Sequence, residues 1–373
     1  LPSNFSSVLI PEIVALSILS VQVIYILSFL IALARRKPGN PASRVPVSII
    51  VCAHDEEQNL KELIPQLLNQ NYPEFEVIIV EDRSNDDTFD YLLEATQQHP
   101  RLKMVRVQQT PEHINGKKFA LTLGIKAAKY EWVVLTDADC RPESENWISS
   151  MSQEFDDQVQ IVLGISPYQK QKGILNDFIR FESFLTAIQY TGWALLGKPY
   201  MGVGRNLAYR KSLFINNKGF NTHLGVTGGD DDLFVNEHAN ATNTRVCLGN
   251  ESLVKSKPKE TWTNFYYQKL RHLSVGKHYK LVDRIGLGMF SVTWILTWIF
   301  VLPFSFFSPL LYVLLGGFVL RWILLSSLFH VAVKKFGDEF EAWKTPFLDF
   351  IYAFYYLVAG PVALVSKKIR WKN

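Results

Sequence analysis

The chain has 373 residues, 48% of them hydrophobic and 20% charged, with a net charge of +4. That length suits one sizeable domain plus membrane segments. Its three cysteines (Cys52, Cys140 and Cys247) are far apart and form no C-x-x-C pair, which speaks against a disulfide framework and against structural zinc. No Lys/Arg stripe interleaved with aromatics is present, so nucleic acid is not an expected partner. The basic clusters lie beside apolar stretches and suit anionic lipid head groups.

Residues 8–34 are nearly all apolar, as are 285–307, 310–333 and 347–365. Crossing the hydrocarbon core takes ~20 apolar residues. The first three stretches meet that length. The fourth holds Asp349 near its start and Gly360-Pro361 within it, which favours a re-entrant or in-plane segment over a third full span. The first stretch lacks a basic n-region and is too long for a signal peptide, so it predicts an uncleaved anchor. Arg35-Arg36-Lys37 follows it and puts the next domain in the cytoplasm. Lys334-Lys335 and Lys367-Lys368-Ile369-Arg370 are basic in the same sense. The expected division is an anchor over 1–37, a cytoplasmic catalytic domain over 38–284, and a membrane region over 285–373. The expectation is an integral protein of the plasma (inner) membrane.

After a Pro/Gly/Asn/Ser linker at 38–46, strands and helices alternate. Val47–Ala53, 77–80, Leu102–Val107 and 132–135 read as buried strands. Residues 56–69, Thr88–Gln98 and 117–129 read as helices from apolar spacing. This alternation predicts an α/β domain with a mainly parallel sheet. Ligands bind beyond the carboxyl ends of such strands, and Asp82 and Asp137 stand there. Two further segments carry apolar stripes with cationic neighbours and predict in-plane amphipathic helices. One stripe is Ile174, Phe178, Phe181, Leu185 and Ile188; the other is Trp262, Phe265, Tyr266, Leu270 and Leu273.

Three acidic groups carry the chemistry. Asp82 is the first. Asp137-Ala138-Asp139 places carboxylates at i and i+2 after a strand, as a hard ion such as Mg²⁺ or Mn²⁺ needs alongside substrate phosphate oxygens. Asp230-Asp231-Asp232 opens a helix. Capping explains one or two of these acids. Mutual repulsion of all three raises at least one pKa unless cations answer it, and a raised pKa suits a general base. Gln268 and Arg271 share a helical face, where an arginine fork can meet a leaving diphosphate. Lys117, after Gly116 at a helix start, also suits phosphate.

At these residues the chain resembles a family 2 glycosyltransferase with a GT-A fold. The resemblance is to the membrane-bound group of cellulose, hyaluronan and poly-N-acetylglucosamine synthases and ceramide glucosyltransferases. It covers about residues 45–280. Val51-Cys52-Ala53-His54-Asp55-Glu56-Glu57 resembles the family's nucleotide-binding loop, which implies donor contacts at Ala53 and Glu56. Val80-Glu81-Asp82-Arg83-Ser84 resembles its base-binding loop, and Gly116-Lys117-Lys118 its Gly-Lys helix start. Gly204-Arg205-Asn206 is similar to its acceptor-side segment. The resemblance implies that Asp82 binds the base, Asp137 the ribose or donor sugar, and Asp139 the metal with help from Asp137. Asp230 would be the catalytic base, with Asp231 as substitute because Gly229 stands where the family has Glu. His272 stands where processive members carry Trp, which counts against long-chain synthesis.

The function expected is inverting, metal-dependent transfer from a nucleotide-sugar, with a UDP-sugar as first choice, to a lipid or lipid-linked glycan. Polymer elongation, alone or with an oligomer or partner subunit, is the alternative. An inactive scaffold or a transporter subunit is the non-enzyme reading; few polar groups are evident in the spans, which counts against a transporter.

Overall fold

The computed structural model describes residues 4–36, 39, 43–112 and 114–365. Lys37, linker residues 38 and 40–42 and the Lys367–Arg370 cluster lie outside them. Helix α1 (Asn4–Arg35) leads into β1 (Val47–Ala53), α2 (Glu57–Leu68), β2 (Phe75–Asp82), α3 (Thr88–Gln98), β3 (Leu102–Val107), α4 (Gly116–Ala127) and β4 (Trp132–Asp137). Then come β5 (Cys140–Pro142), α5 (Trp147–Ser152), β6 (Ile161–Leu163), α6 (Ile174–Leu195), β7 (Leu207–Arg210), α7 (Lys211–Asn216), α8 (Asp232–His238), β8 (Thr244–Val246) and β9 (Val254–Ser256). The described residues close with α9 (Trp262–Val275), α10 (Leu281–Leu296), α11 (Leu302–Ser305), α12 (Leu311–Phe336) and α13 (Thr345–Val365).

Seven strands form one sheet in the order β3-β2-β1-β4-β7-β6-β8. The first four run parallel; β1, β2 and β4 carry the Val/Ile runs of strands buried on both faces, whereas β3, at the edge, is partly exposed. β7 pairs antiparallel with β4 and β6. The reversal at β4–β7 brings the segment around Gly204 back beside the carboxyl end of β4. A two-stranded ribbon, β5–β9, sits just past that end.

Glu76 fastens the opposite end of the sheet. It is 4% exposed and accepts from the Ser48 hydroxyl, Lys103 Nζ and the Lys129 N–H, each at 2.6 Å. Burial alone would raise its pKa, but the Lys103, Ser48 and Lys129 bonds outweigh burial and lower it. A depressed folded pKa gives stability that is present above the unfolded value of about 4.3 and lost as pH falls through the folded one. Glu76→Gln is therefore expected to cost about 1–3 kcal/mol at pH 7. The difference in Tm from wild type in detergent should shrink as pH falls below about 4.3 and close once it is below the lowered folded value. A difference that persists unchanged into acid would contradict this account.

Among the described residues, four helices are long and apolar enough to cross a membrane: Ile10–Arg35, Leu281–Ser305, Leu311–Phe336 and Ala342–Val365. The last departs from the sequence expectation, because α13 continues through Gly360-Pro361 without interruption. The spans also bury more polarity than their sequences suggest. Arg321 and Asp349, both 0% exposed, form a two-pronged ion pair at 2.7 and 3.0 Å. Arg321 also meets Gln22 of α1 and stacks on Trp294 of α10. A pair facing inward satisfies both charges and ties α1, α10, α12 and α13 in one register.

The α6 stripe is likewise a core face rather than a lipid-facing one. Phe178, Phe181, Leu185 and Ile188 are buried, and α6 packs on α1, α13 and β8; only Ile174, at its start, is exposed. The α9 stripe divides. Phe265 and Leu270 are buried, whereas Trp262 and the neighbouring Tyr267 are exposed.

Candidate active site

The acids reach their places through the loops at the carboxyl ends of β1, β2 and β4. Asp55 and Arg83 adopt left-handed backbone, at φ 55° and 56°, a strained choice for residues other than glycine. The two loops brace each other: Ser84 Oγ accepts from the Asp55 N–H at 3.1 Å, and Asp55 accepts from the Asn85 N–H at 2.6 Å. The turn at Arg83 folds its guanidinium back onto Asp82 at 2.8 Å. Helix α4 begins against this pair. A Cβ at Gly116 would stand 3.2 Å from the Arg83 guanidinium and 3.4 Å from the Asp82 carboxylate. Glycine permits that close approach.

Lys117, in the first turn of α4, bridges two of the acidic groups. Its Nζ lies 2.9 Å from Asp137 and 3.4 Å from Asp230. Burial would lower its pKa, but the carboxylates of Asp137 and Asp230 hold it well above the ordinary lysine value. Lys118 serves a different end. Fully buried, it donates to the carbonyls of His223 (2.5 Å) and Val226 (2.9 Å), and burial pushes it down to about 8. It thereby anchors the loop that leads into the acidic triplet.

That loop turns through Gly228 and Gly229 at φ 83° and 79°. A Cβ at Gly229 would also approach Leu233 to 2.6 Å. Glycine at 229 is thus a backbone requirement of this chain. The three acids then take different duties. Asp230 faces Lys117, which outweighs burial and lowers its pKa. Asp231 caps α8: one oxygen accepts from the Asp232 N–H at 2.8 Å, the other from the Gly204 N–H at 2.7 Å. Asp232 accepts from the Tyr279 hydroxyl at 2.7 Å and from the Leu233 N–H at 2.8 Å. Burial and then the neighbouring acid raise the pKa of both Asp231 and Asp232. The expected raised carboxyl is present, but on the two members occupied with capping and with Tyr279. The member facing the lysine is lowered.

Asp137 and Asp139 offer carboxylate oxygens within 4.8 Å of each other and of the Cys140 thiol. Cys140 is fully buried and lies 3.3 Å from the Ser256 hydroxyl, so its sulfur belongs to the β5–β9 ribbon. The two remaining donors are hard oxygens, and that set fits Mg²⁺ or Mn²⁺ completed by phosphate oxygens. Glu56 stands close enough for Asp139 and Asp137 to add to the rise that burial gives its pKa. From the opposite wall, Gln268 of α9 donates to the Tyr168 hydroxyl at 3.3 Å, and Arg205 lies 4.8 Å above that same ring. Desolvation and the charges of Lys269 and Arg271 hold His272 well below the ordinary imidazole value, so it is neutral at pH 7.

One cavity of about 1690 Å³ joins all of these groups. Ala53, Glu56, Asp82, Lys117, Asp137, Asp139, Asp230, Asp231, Gln268 and Arg271 all line it, so the topology brings every sequence-predicted site residue together. Arg83, Tyr168 and Glu182 line it too, and no local pattern singled them out. The cavity does not end at the acids. It continues along α10 past Leu281, Ile285, Gly288, Val292 and Ile295 to Ile299 in the turn that follows, with Tyr352, Tyr356 and Gly360 of α13 also lining it.

Comparison with known proteins agrees with this geometry. The family model described as Glycosyl transferase family 2 matches residues 48–216. A probable glycosyltransferase, YdaM, of Bacillus subtilis is 26% identical over 237 residues, covering 60% of this chain and 54% of its own length. A poly-beta-1,6-N-acetyl-D-glucosamine synthase of Staphylococcus epidermidis is 33% identical over 93 residues, 25% of this chain and 21% of that one. The chain therefore spans about half the length of the first relative and a fifth of the second. Among solved structures, the mannosyltransferase PcManGT of Pyrobaculum calidifontis, in complex with GDP-Man and Mn²⁺, superposes with a TM-score of 0.61 at 17% identity. The match covers 96% of this chain and 100% of that one, and shows the shared fold. With its four-strand parallel core and its acids beyond the strand ends, the chain has the fold of that neighbour, and its residues 48–216 carry a domain that matches the family 2 glycosyltransferases.

Proposed function

We propose that this protein transfers a sugar from a nucleotide-sugar to a hydroxyl of a membrane lipid, inverting the anomeric carbon. The observation that carries the lipid reading is the continuation of the donor cavity into an apolar groove between α10 and α13. From Leu281 to Ile299 that groove runs about 27 Å at 1.5 Å per residue, comparable with the ~30 Å hydrocarbon core. A polar chamber joined to a groove of this kind suits an acceptor with a polar head and an apolar chain.

In this reading Asp82, Ala53 and Glu56 receive the nucleoside, with UDP as the first choice on the family resemblance. Asp137 meets the ribose or sugar. Asp139, with Asp137, would hold a divalent ion, which supplies charge stabilisation to the diphosphate when bound. Asp230 takes the proton of the acceptor hydroxyl. The oxygen then attacks the anomeric carbon on the face opposite the diphosphate. The new C–O bond forms as the bond to the diphosphate oxygen breaks, and the nucleoside diphosphate leaves as an anion. Arg271 and Lys117 take up its charge. Lys117 already neutralises Asp137 and Asp230, so moving toward the diphosphate would release Asp230 to act as the stronger base. Asp231 supports the reaction by holding Gly204 and the start of α8. The catalytic domain, assigned to 38–284, faces the cytoplasm between the anchor and the membrane region.

Gly288 supplies a test. It lines the groove, and a Cβ there would meet nothing within 4 Å, so a large side chain fits without disturbing the helix. Gly288→Trp is expected to lower transfer about tenfold or more through acceptor binding. Metal-dependent binding of the nucleotide should be unchanged by calorimetry. Full activity with a filled groove would refute the lipid reading.

A further inference from the structure

We propose that Glu182, Lys269 and Tyr356 form a buried clamp that sets the position of Arg271 against the leaving diphosphate. They are thus positioning residues for the transfer. This rests on the reading of Arg271 as the cation that receives the leaving group.

Glu182 of α6 is 1% exposed, and each of its oxygens has a partner from another element. One pairs with Lys269 of α9, itself 7% exposed. The other accepts from the Tyr356 hydroxyl of α13 at 2.6 Å. Removing two charges from water is costly, and a buried pair is a poor source of stability; its best-attested use is to fix register. Here the register concerns α9. Lys269 lies between Gln268 and Arg271 and, two residues before Arg271, points about 200° around the helix from it. The clamp therefore grips α9 about half a turn around from Arg271, on the groove side of the cavity that all four residues line.

Gln268 adds its bond to Tyr168, and much of the remaining α9 seating is aromatic. Phe178 packs on Trp262, Phe265 and Tyr355, and Tyr355 also meets Phe265 and Tyr266. Aromatic contacts of this kind hold the helix down but tolerate small slides along it. An ion pair closed by a hydroxyl does not. Glu182 and Tyr356 also line the cavity on its groove side. An acceptor chain in the groove thus lies against the same residues that steady Arg271.

Tyr356→Phe removes one hydroxyl and keeps the ring and the ion pair, so folding should survive. It is expected to lower kcat for transfer about 10- to 100-fold, the range that small misplacement of a catalytic group produces. The donor KM and the melting temperature should remain near wild type. Glu182→Gln should act in the same direction where it folds. The decisive comparison is a double-mutant cycle with Arg271→Ala. If Tyr356 acts through Arg271, then Tyr356→Phe has no further effect on kcat once Arg271 is alanine. Independent, multiplying losses would overturn the clamp. So would a lowered melting temperature with unchanged kcat. If Arg271→Ala itself leaves kcat intact, the leaving-group reading fails first, and the clamp falls with it.

Discussion

Asp230→Asn is expected to lower transfer by about 10²- to 10⁴-fold, the contribution typical of a positioned general base. The amide keeps the shape of the carboxylate but cannot accept the acceptor's proton. Lys117 keeps its bond to Asp137 in the variant, so the donor side of the cavity retains its arrangement. Nucleotide binding measured by calorimetry should therefore be largely preserved while turnover collapses. Asp231→Asn is the informative neighbour. Its two oxygens are held by the Gly204 and Asp232 N–H groups, so its loss should appear mainly as a lower melting temperature. The reverse pattern, with turnover retained in Asp230→Asn and abolished in Asp231→Asn, would move the base to Asp231.

The second large effect is expected at Asp139. Its carboxylate accepts a weak bond from the Cys140 thiol, at 3.5 Å, whereas Asp137 is already bonded to Lys117. Asp139 is therefore the acid more available to a metal. Asp139→Asn should abolish the Mn²⁺ dependence of nucleotide binding and lower transfer by at least about 10²-fold, as loss of one transition-state charge partner does. Titrating UDP with and without Mn²⁺ reads this directly. Metal-stimulated binding that survives in the variant would remove Asp139 from the metal site.

The parallel half of the sheet was legible because β1, β2 and β4 carry continuous apolar runs closed by polar turns, and β3 is a short Val-containing segment between turns. Val47–Ala53 and Leu102–Val107 fall where the pattern puts them. The mixed half was not, since β6 and β8 have three residues each and β7 four, too few to show a period. The acids were legible as a set, because two follow strand ends and three are contiguous. Their division of labour was not. Which of Asp230, Asp231 and Asp232 faces a lysine depends on α4 and on the turn at Gly204, both distant in sequence. The α6 stripe was read as lipid-facing because burial by α1 and α13 and burial by lipid leave the same apolar pattern. Gly360-Pro361 was read as a break, yet α13 runs through it. Gly360 leaves open space on the cavity side, and the helix continues beside α9 and α6. Glu182, Lys269 and Tyr356 carried no local signal, because an ion pair between distant helices leaves no spacing to read.

The central claim is that the acceptor is a lipid. The direct measurement incubates membranes containing this protein with labelled UDP- and GDP-sugars and Mn²⁺, with Asp230→Asn membranes as the blank. Products are split between organic solvent and a high-molecular-weight aqueous fraction. The account predicts label in the organic phase with one donor, absent from the blank. Label confined to the large aqueous fraction would contradict it, and would establish polymer elongation instead.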